Sequence, residues 1–130
     1  MGQQQLLLIV LGVIIVGIAV VVGINLFTAN SQQANRDNII ADLIAAGSMA
    51  HQYYRKPVAL GGGGNTFTGW TMPVQFSPTV VMSAPVTVTV AAQSITFVAV
   101  GNETGNDGST KVKVTMVLGP NGITSTTINN

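Results

Sequence analysis

The sequence predicts an α+β protein in which a long N-terminal α-helix, apolar and then amphipathic, packs on a small antiparallel β-sheet. The first observation is the uncharged run Leu6–Phe27, where 18 of 22 residues are apolar. The second is helix-compatible sequence that continues from residue 28 to 56 and carries one apolar stripe. The third is a change to period-two alternation beyond residue 67, which is typical of half-buried strands.

Composition excludes several classes of function. Charged residues make up 7% of the 130 residues, against ~25% in ordinary soluble domains. The net charge of +1 comes without a basic cluster, which argues against nucleic-acid binding. The chain contains no cysteine, so a disulfide scaffold, a cysteine metal site and a thiol nucleophile are all excluded.

The first half of the predicted helix, residues 6–27, is long enough to cross a membrane. At 1.5 Å per residue its 22 residues extend about 33 Å, compared with a hydrocarbon core of ~30 Å. A cleaved secretory signal is the competing interpretation. Such signals carry Lys or Arg before an apolar core of about 7–15 residues. Met1–Gln5 contains no Lys and no Arg. We therefore expect the segment to be retained.

The second half, residues 28–56, is predicted to be an amphipathic helix that ends before Pro57. Its apolar residues recur at spacings of three and four, as they do on one face of a helix. We expect the helix to pack on the sheet through Ile40, Leu43, Ile44, Ala50 and Tyr54, with Gly47 on the same stripe.

A flexible glycine-rich loop, residues 57–66, is expected to connect the helix to a β head at residues 67–130. A phosphate-binding loop would follow a strand and open a helix, which is the opposite order. Trp70 is predicted to fill the core of the head. A hairpin turn is predicted at Gly119–Gly122. The four predicted strands lie around Val86–Val90, Ile95–Ala99, Lys111–Met116 and Ile123–Ile128.

No enzymatic or cofactor site is predicted. Asp42, Ser48 and His51 lie on one narrow helix, which rarely places a base within reach of two partners in a pocket. Glu103 and Asp107 are the candidate cation ligands, but calcium favours six to eight oxygens and this loop offers two carboxylates. Residues 102–104 also form an N-glycosylation sequon, although a plain polar turn is the simpler interpretation.

The sequence of these elements resembles the type IV pilin superfamily, which includes bacterial pilins, pseudopilins and archaeal pilins. The resemblance covers the whole architecture, and its sequence similarity is concentrated in about the first 27 residues, which open with Gln3-Gln-Gln-Leu-Leu-Leu8. The family usually has a glutamate at the fifth mature position, where it neutralises the N-terminal amine of a neighbour. Gln5 stands there instead, and its amide accepts a hydrogen bond but supplies no countercharge.

The resemblance implies a structural subunit that polymerises into an extracellular filament after residing in the cytoplasmic membrane. It implies an assembly ATPase, a membrane platform and a prepilin peptidase as partners, with the chain itself as the main one. The alternative is a monomeric, single-span anchored protein whose β head binds a partner. The residues expected to pack in the filament core are Leu6, Leu7, Leu8, Ile9, Leu11, Gly12, Ile15, Gly17, Ala19, Val22, Gly23 and Phe27.

Overall fold

A single α-helix, α1, runs from Gly2 to Arg55 in the computed structural model, which describes residues 2–130. No proline interrupts it, and the chain leaves helical geometry just before Pro57. The chain divides into two compact units, the first ending at Ser31 and the second running from Gln32 to Asn130. The second unit contains the remainder of α1 and the whole sheet.

Four antiparallel strands form one sheet in the order β1-β2-β3-β4, so the predicted α+β fold is confirmed. Tight turns join β1 to β2 and β3 to β4, the latter through Pro120 and Asn121 as the sequence predicts. A longer loop, residues 105–110, joins β2 to β3. The strands span Thr87–Ala91 (β1), Ser94–Thr104 (β2), Lys111–Gly119 (β3) and Gly122–Asn129 (β4).

One face of the two central strands is buried against the second half of α1. Alternate residues of β2 and β3 point into this core, whereas the residues between them are exposed or half-buried. The buried side chains from the strands are Ile95, Phe97, Ala99, Val112, Val114, Met116 and Leu118, and those from the helix are Ile39, Leu43, Ala46 and Ala50.

The buried face of α1 is rotated from the face that the sequence predicts. Leu43 and Ala50 are fully buried, and Ile40 and Tyr54 are partly buried against the core. The expectation for Ile44 is corrected, because its side chain is 44% exposed. Asn35, Ile39, Leu43, Ala46 and Ala50 instead form the centre of the contact, at spacings of four, four, three and four.

The glycine-rich segment after the helix is a capping turn, which corrects the expectation of a flexible break. Gly63 N donates to Tyr53 O at 2.8 Å, and Asn65 N donates to Tyr54 O at 2.8 Å. These bonds satisfy carbonyl groups that the end of a helix leaves without partners. A Cβ atom at Gly63 would overlap the carbonyl oxygen of Thr66, so a side chain has no room there.

The irregular segment between this turn and β1 covers the remaining side of the core. Trp70 is 7% exposed, as predicted for a core residue, and meets the ring of Phe97 edge to face at 5.7 Å between centroids. Phe67 is fully buried and packs against Tyr54, with ring centroids 4.6 Å apart. Two single-turn 3-10 helices, Val58–Leu60 and Val74–Phe76, lie in the connecting segments.

Candidate assembly surface

The most exposed apolar surface is the first half of α1. Between Leu6 and Phe27, 17 large apolar side chains are 50–73% exposed. Soluble monomers rarely leave a continuous apolar surface of this size in water. The side chains occupy every side of the helix and do not form one stripe, so a single partner on one side would leave most of them uncovered. The surface therefore requires an apolar environment all around it.

This segment also meets the length and composition requirements of a membrane span. It is the one such helix among residues 2–130, with a mean hydropathy of 3.3 over its most apolar 18 residues, none of them buried. The expected filament-core residues all lie within it, and each is exposed. Packing of these residues in a filament core stays a prediction.

Three glycines open this surface to close approach by another helix. Apart from its chain neighbours and the backbone of its own helix, a Cβ atom placed at Gly12, Gly17 or Gly23 would have no atom within 4 Å. Each glycine exposes backbone that a second helix could contact directly. Glycine in a helix interior costs roughly 1 kcal/mol relative to alanine. The structure of the chain by itself supplies no packing that offsets this cost.

Gln5 lies in the helical and exposed start of α1. Its side-chain oxygen is free to accept a hydrogen bond from an ammonium group, which is the role expected for it toward a neighbouring copy. Met1 lies outside the described residues.

The candidate cation loop uses its aspartate to hold its own backbone. Asp107 Oδ1 accepts hydrogen bonds from Ser109 N and Thr110 N, both at 3.0 Å, and Asp107 Oδ2 accepts one from Thr110 Oγ1 at 2.5 Å. The Thr110 hydroxyl and these backbone donors hold the pKa of the Asp107 carboxyl below its ordinary value. Glu103, the other candidate ligand, is exposed, and residues 2–130 contain no group of three or more His, Asp or Glu side chains placed to hold a metal ion.

Asp42, Ser48 and His51 make separate hydrogen bonds in the head. Thr79 Oγ1 donates to Asp42 Oδ2 at 3.1 Å, and Ser48 Oγ donates to Ile44 O at 3.0 Å. His51 Nε2 lies 2.8 Å from Pro120 O, which ties the helix to the β3–β4 turn. None of these three hydrogen bonds joins one of the three side chains to another.

Two further exposed apolar side chains, which the sequence analysis did not identify, lie on β4. The register pairs Leu118 with Ile123 and Val114 with Ile128, so both isoleucines lie on the helix side of the sheet. They are nevertheless 45% and 47% exposed. Strict alternation along β4 would place positions 123 and 128 on opposite faces of the sheet. The register shift next to Leu118 brings both to the helix side.

Within the part of the chain that the structure describes, each outer edge of the sheet lacks a further strand, and at the two ends of β1 Phe67 N donates to Ala92 O and Val86 N donates to Ser77 Oγ. β1 and β4 are the first and last strands of the sheet, and among residues 2–130 no backbone hydrogen bond joins either strand to anything beyond its sheet neighbour. An unpaired edge presents a row of N–H and C=O groups that can pair with another strand.

Searches of protein families, curated proteins and solved structures found no match to this chain. The architecture is pilin-like, because a long N-terminal helix with an apolar first half packs its second half on a small antiparallel sheet.

Proposed function

We propose that this chain is a structural subunit of an extracellular, pilus-like filament, with its apolar helix in the filament core and its β head on the outside. The observation that carries the proposal is the set of 17 large apolar side chains that surround α1 and are at least half exposed. Copies of the same segment, packed side by side, would supply an apolar environment on every side.

The free energy of this burial is sufficient for a polymer without covalent links. Full burial of a large apolar side chain contributes about 1.5–3 kcal/mol. Because the 17 side chains are at least half exposed, we count half of this value for each, which gives roughly 13–25 kcal/mol in total. The loss of translational and rotational freedom on association costs about 4–15 kcal/mol. Outside the membrane, the gain from burial among copies therefore exceeds the cost of association over most of these ranges.

Before assembly the same segment would reside in the cytoplasmic membrane, where lipid tails cover its apolar side chains. Inside lipid, apolar burial gives no preference for helix contacts, so close packing at small residues becomes more important. Gly12, Gly17 and Gly23 suit that packing. The assembly ATPase, platform and prepilin peptidase implied by the resemblance would act at this stage.

The polar surface of the head suits the outside of such a filament. All nine charged residues lie between Arg36 and Lys113, so none lies in the apolar helix. The outward-facing positions of the edge strands carry threonine and serine, including Thr87, Thr89, Ser125 and Thr127. These hydroxyl groups remain hydrated when the helices are buried.

A charge in the apolar helix tests the proposal. Val16→Asp should abolish filaments, because the carboxylate would be buried without a partner among the packed helices. Val16→Leu is the matched control and should assemble normally. The measurement is electron microscopy of material sheared from the cell surface, with the membrane fraction blotted in parallel. Normal filaments from Val16→Asp would refute the core assignment.

The same measurement separates the filament subunit from the single-span anchored protein. Thin filaments composed of the wild-type chain would support polymerisation. Wild-type chain found in membranes only, with no filament in the sheared fraction, would support the anchor.

A further inference from the structure

The longer free edge of the sheet carries few of the features that prevent strands from pairing with other molecules. Exposed edges are commonly protected by lysine, proline or bulges. Strand β4 has no charge and no proline in its eight residues, Gly122–Asn129. Its pairing with β3 is irregular at one point, next to Leu118. Strand β1, at the opposite edge, is also uncharged over its five residues, Thr87–Ala91.

We propose that β4 of one copy pairs in antiparallel orientation with β1 of the next, so that the sheet continues from head to head along the polymer. This inference rests on the proposed filament function and adds a second contact to it, between the heads. In this proposal the occupant of the β4 edge is a second copy of this chain.

The strand order determines which direction such a row takes. An antiparallel sheet of four strands has first and last strands that run in opposite directions. A second copy whose β1 is antiparallel to β4 consequently has the same orientation as the first copy. The contact uses two different edges, so each new copy presents another free β4 and the row stays open. Pairing of β4 with another β4 would reverse the second copy and end at a dimer.

Side-chain complementarity supports the same partner. Ile128 lies on the helix side of β4 and is 47% exposed, and Val88 and Val90 lie on the helix side of β1 and are half-buried. If Thr89 of the added copy stands opposite Thr127, then Val88 stands opposite Ile128. Cross-strand pairs of β-branched residues stabilise a sheet and would cover this isoleucine.

Disulfide trapping tests the contact, and the chain provides a background without cysteine. The double variant Thr89→Cys/Thr127→Cys places one thiol on the outer face of each edge. Thr89→Cys/Ser125→Cys tests the register displaced by two residues, which keeps the same face. Paired strands bring Cα atoms to about 4.5–5.5 Å, within the range of a disulfide.

Two features of the sheet keep the experiment specific. Within one copy, β1 and β4 are three strand spacings apart, about 14 Å, which is too far for an internal disulfide. The control Thr89→Cys/Lys113→Cys places the second thiol on β3, two spacings from the β1 of an added copy. It should not cross-link. Single variants should also stay monomeric on a non-reducing gel.

Filaments of the full-length variants are treated with a mild oxidant and dissolved in denaturing detergent. We expect one double variant to give a ladder of dimers, trimers and larger species that a reductant returns to monomer. Filaments that form normally and yield no ladder from either double variant would overturn the head contact and leave the filament function intact. Dimers from Thr127→Cys alone would overturn it in favour of β4–β4 pairing. Absence of wild-type filaments would overturn both proposals.

Discussion

Asn35 and Gly101 show how one residue pair positions the helix on the sheet. Asn35 is 6% exposed, and its Nδ2 donates to Val81 O at 2.8 Å. Its Oδ1 is buried without a hydrogen-bond partner and lies against the backbone of Gly101. A buried amide is costly unless it is bonded, so the contact with Val81 favours one arrangement of helix and sheet. The absent side chain at Gly101 gives the amide its space.

We expect Gly101→Ala and Gly47→Ala to change stability in opposite directions. An alanine Cβ at position 101 would overlap Asn35 Oδ1, so the free energy of unfolding should fall by about 1–3 kcal/mol. At position 47 it would meet only the Leu118 side chain at 3.8 Å, an ordinary contact. The higher helix propensity of alanine should then raise the free energy of unfolding by up to ~1 kcal/mol.

The fluorescence of Trp70, the one tryptophan, reports unfolding of the head as denaturant is added to the full chain in detergent. Equal effects of the two substitutions would show that the contact at Gly101 does not limit packing.

At the scale of elements, the helix was predictable and its buried face was predictable only in part. Uninterrupted helix formers and Pro57 delimit α1, and alternation identifies all four strands. However, residues 39–50 offer two overlapping apolar stripes, one through Ile39 and Leu43 and one through Ile40 and Ile44. Helical periodicity fits both. Which stripe is buried depends on which side of the helix the sheet can approach most closely. Ala46 and Ala50 permit close approach on the side of Ile39 and Leu43, because they are small.

Alanine substitutions at Ile39 and Ile44 distinguish the two stripes. Ile39→Ala should lower the free energy of unfolding by about 2–5 kcal/mol, because the residue is fully buried and its truncation leaves a cavity. Ile44→Ala should cost less than about 1 kcal/mol, because its side chain is already 44% exposed. The same Trp70 fluorescence titration measures both values, and a larger loss at Ile44 would contradict the observed face.

At the scale of the whole molecule, the sequence predicts which surface is apolar. It predicts only one of the two contacts that we propose between copies. That Leu6–Phe27 is apolar on every side of the helix follows directly from composition, because 18 of its 22 residues are apolar. The open strand edges could not be predicted in this way. They depend on the strand order and on a helix that leaves Ile123 and Ile128 uncovered, and both are properties of tertiary packing.

The distribution of charge also affects how a polymer of this chain would respond to its solvent. Residues 114–130 are as free of charge as the apolar helix, so neither β4 nor the helix contributes an ion to a contact between copies. Dissolved salt weakens association by screening charges, over a distance of about 3 Å at 1 M. We therefore expect filaments to keep their length at high sodium chloride concentration, as measured by light scattering and electron microscopy. Non-ionic detergent micelles, which offer the helices another apolar environment, should dissolve the filaments, whereas dissociation by salt alone would indicate ionic contacts. A filament held in this way would tolerate brackish and fresh water alike.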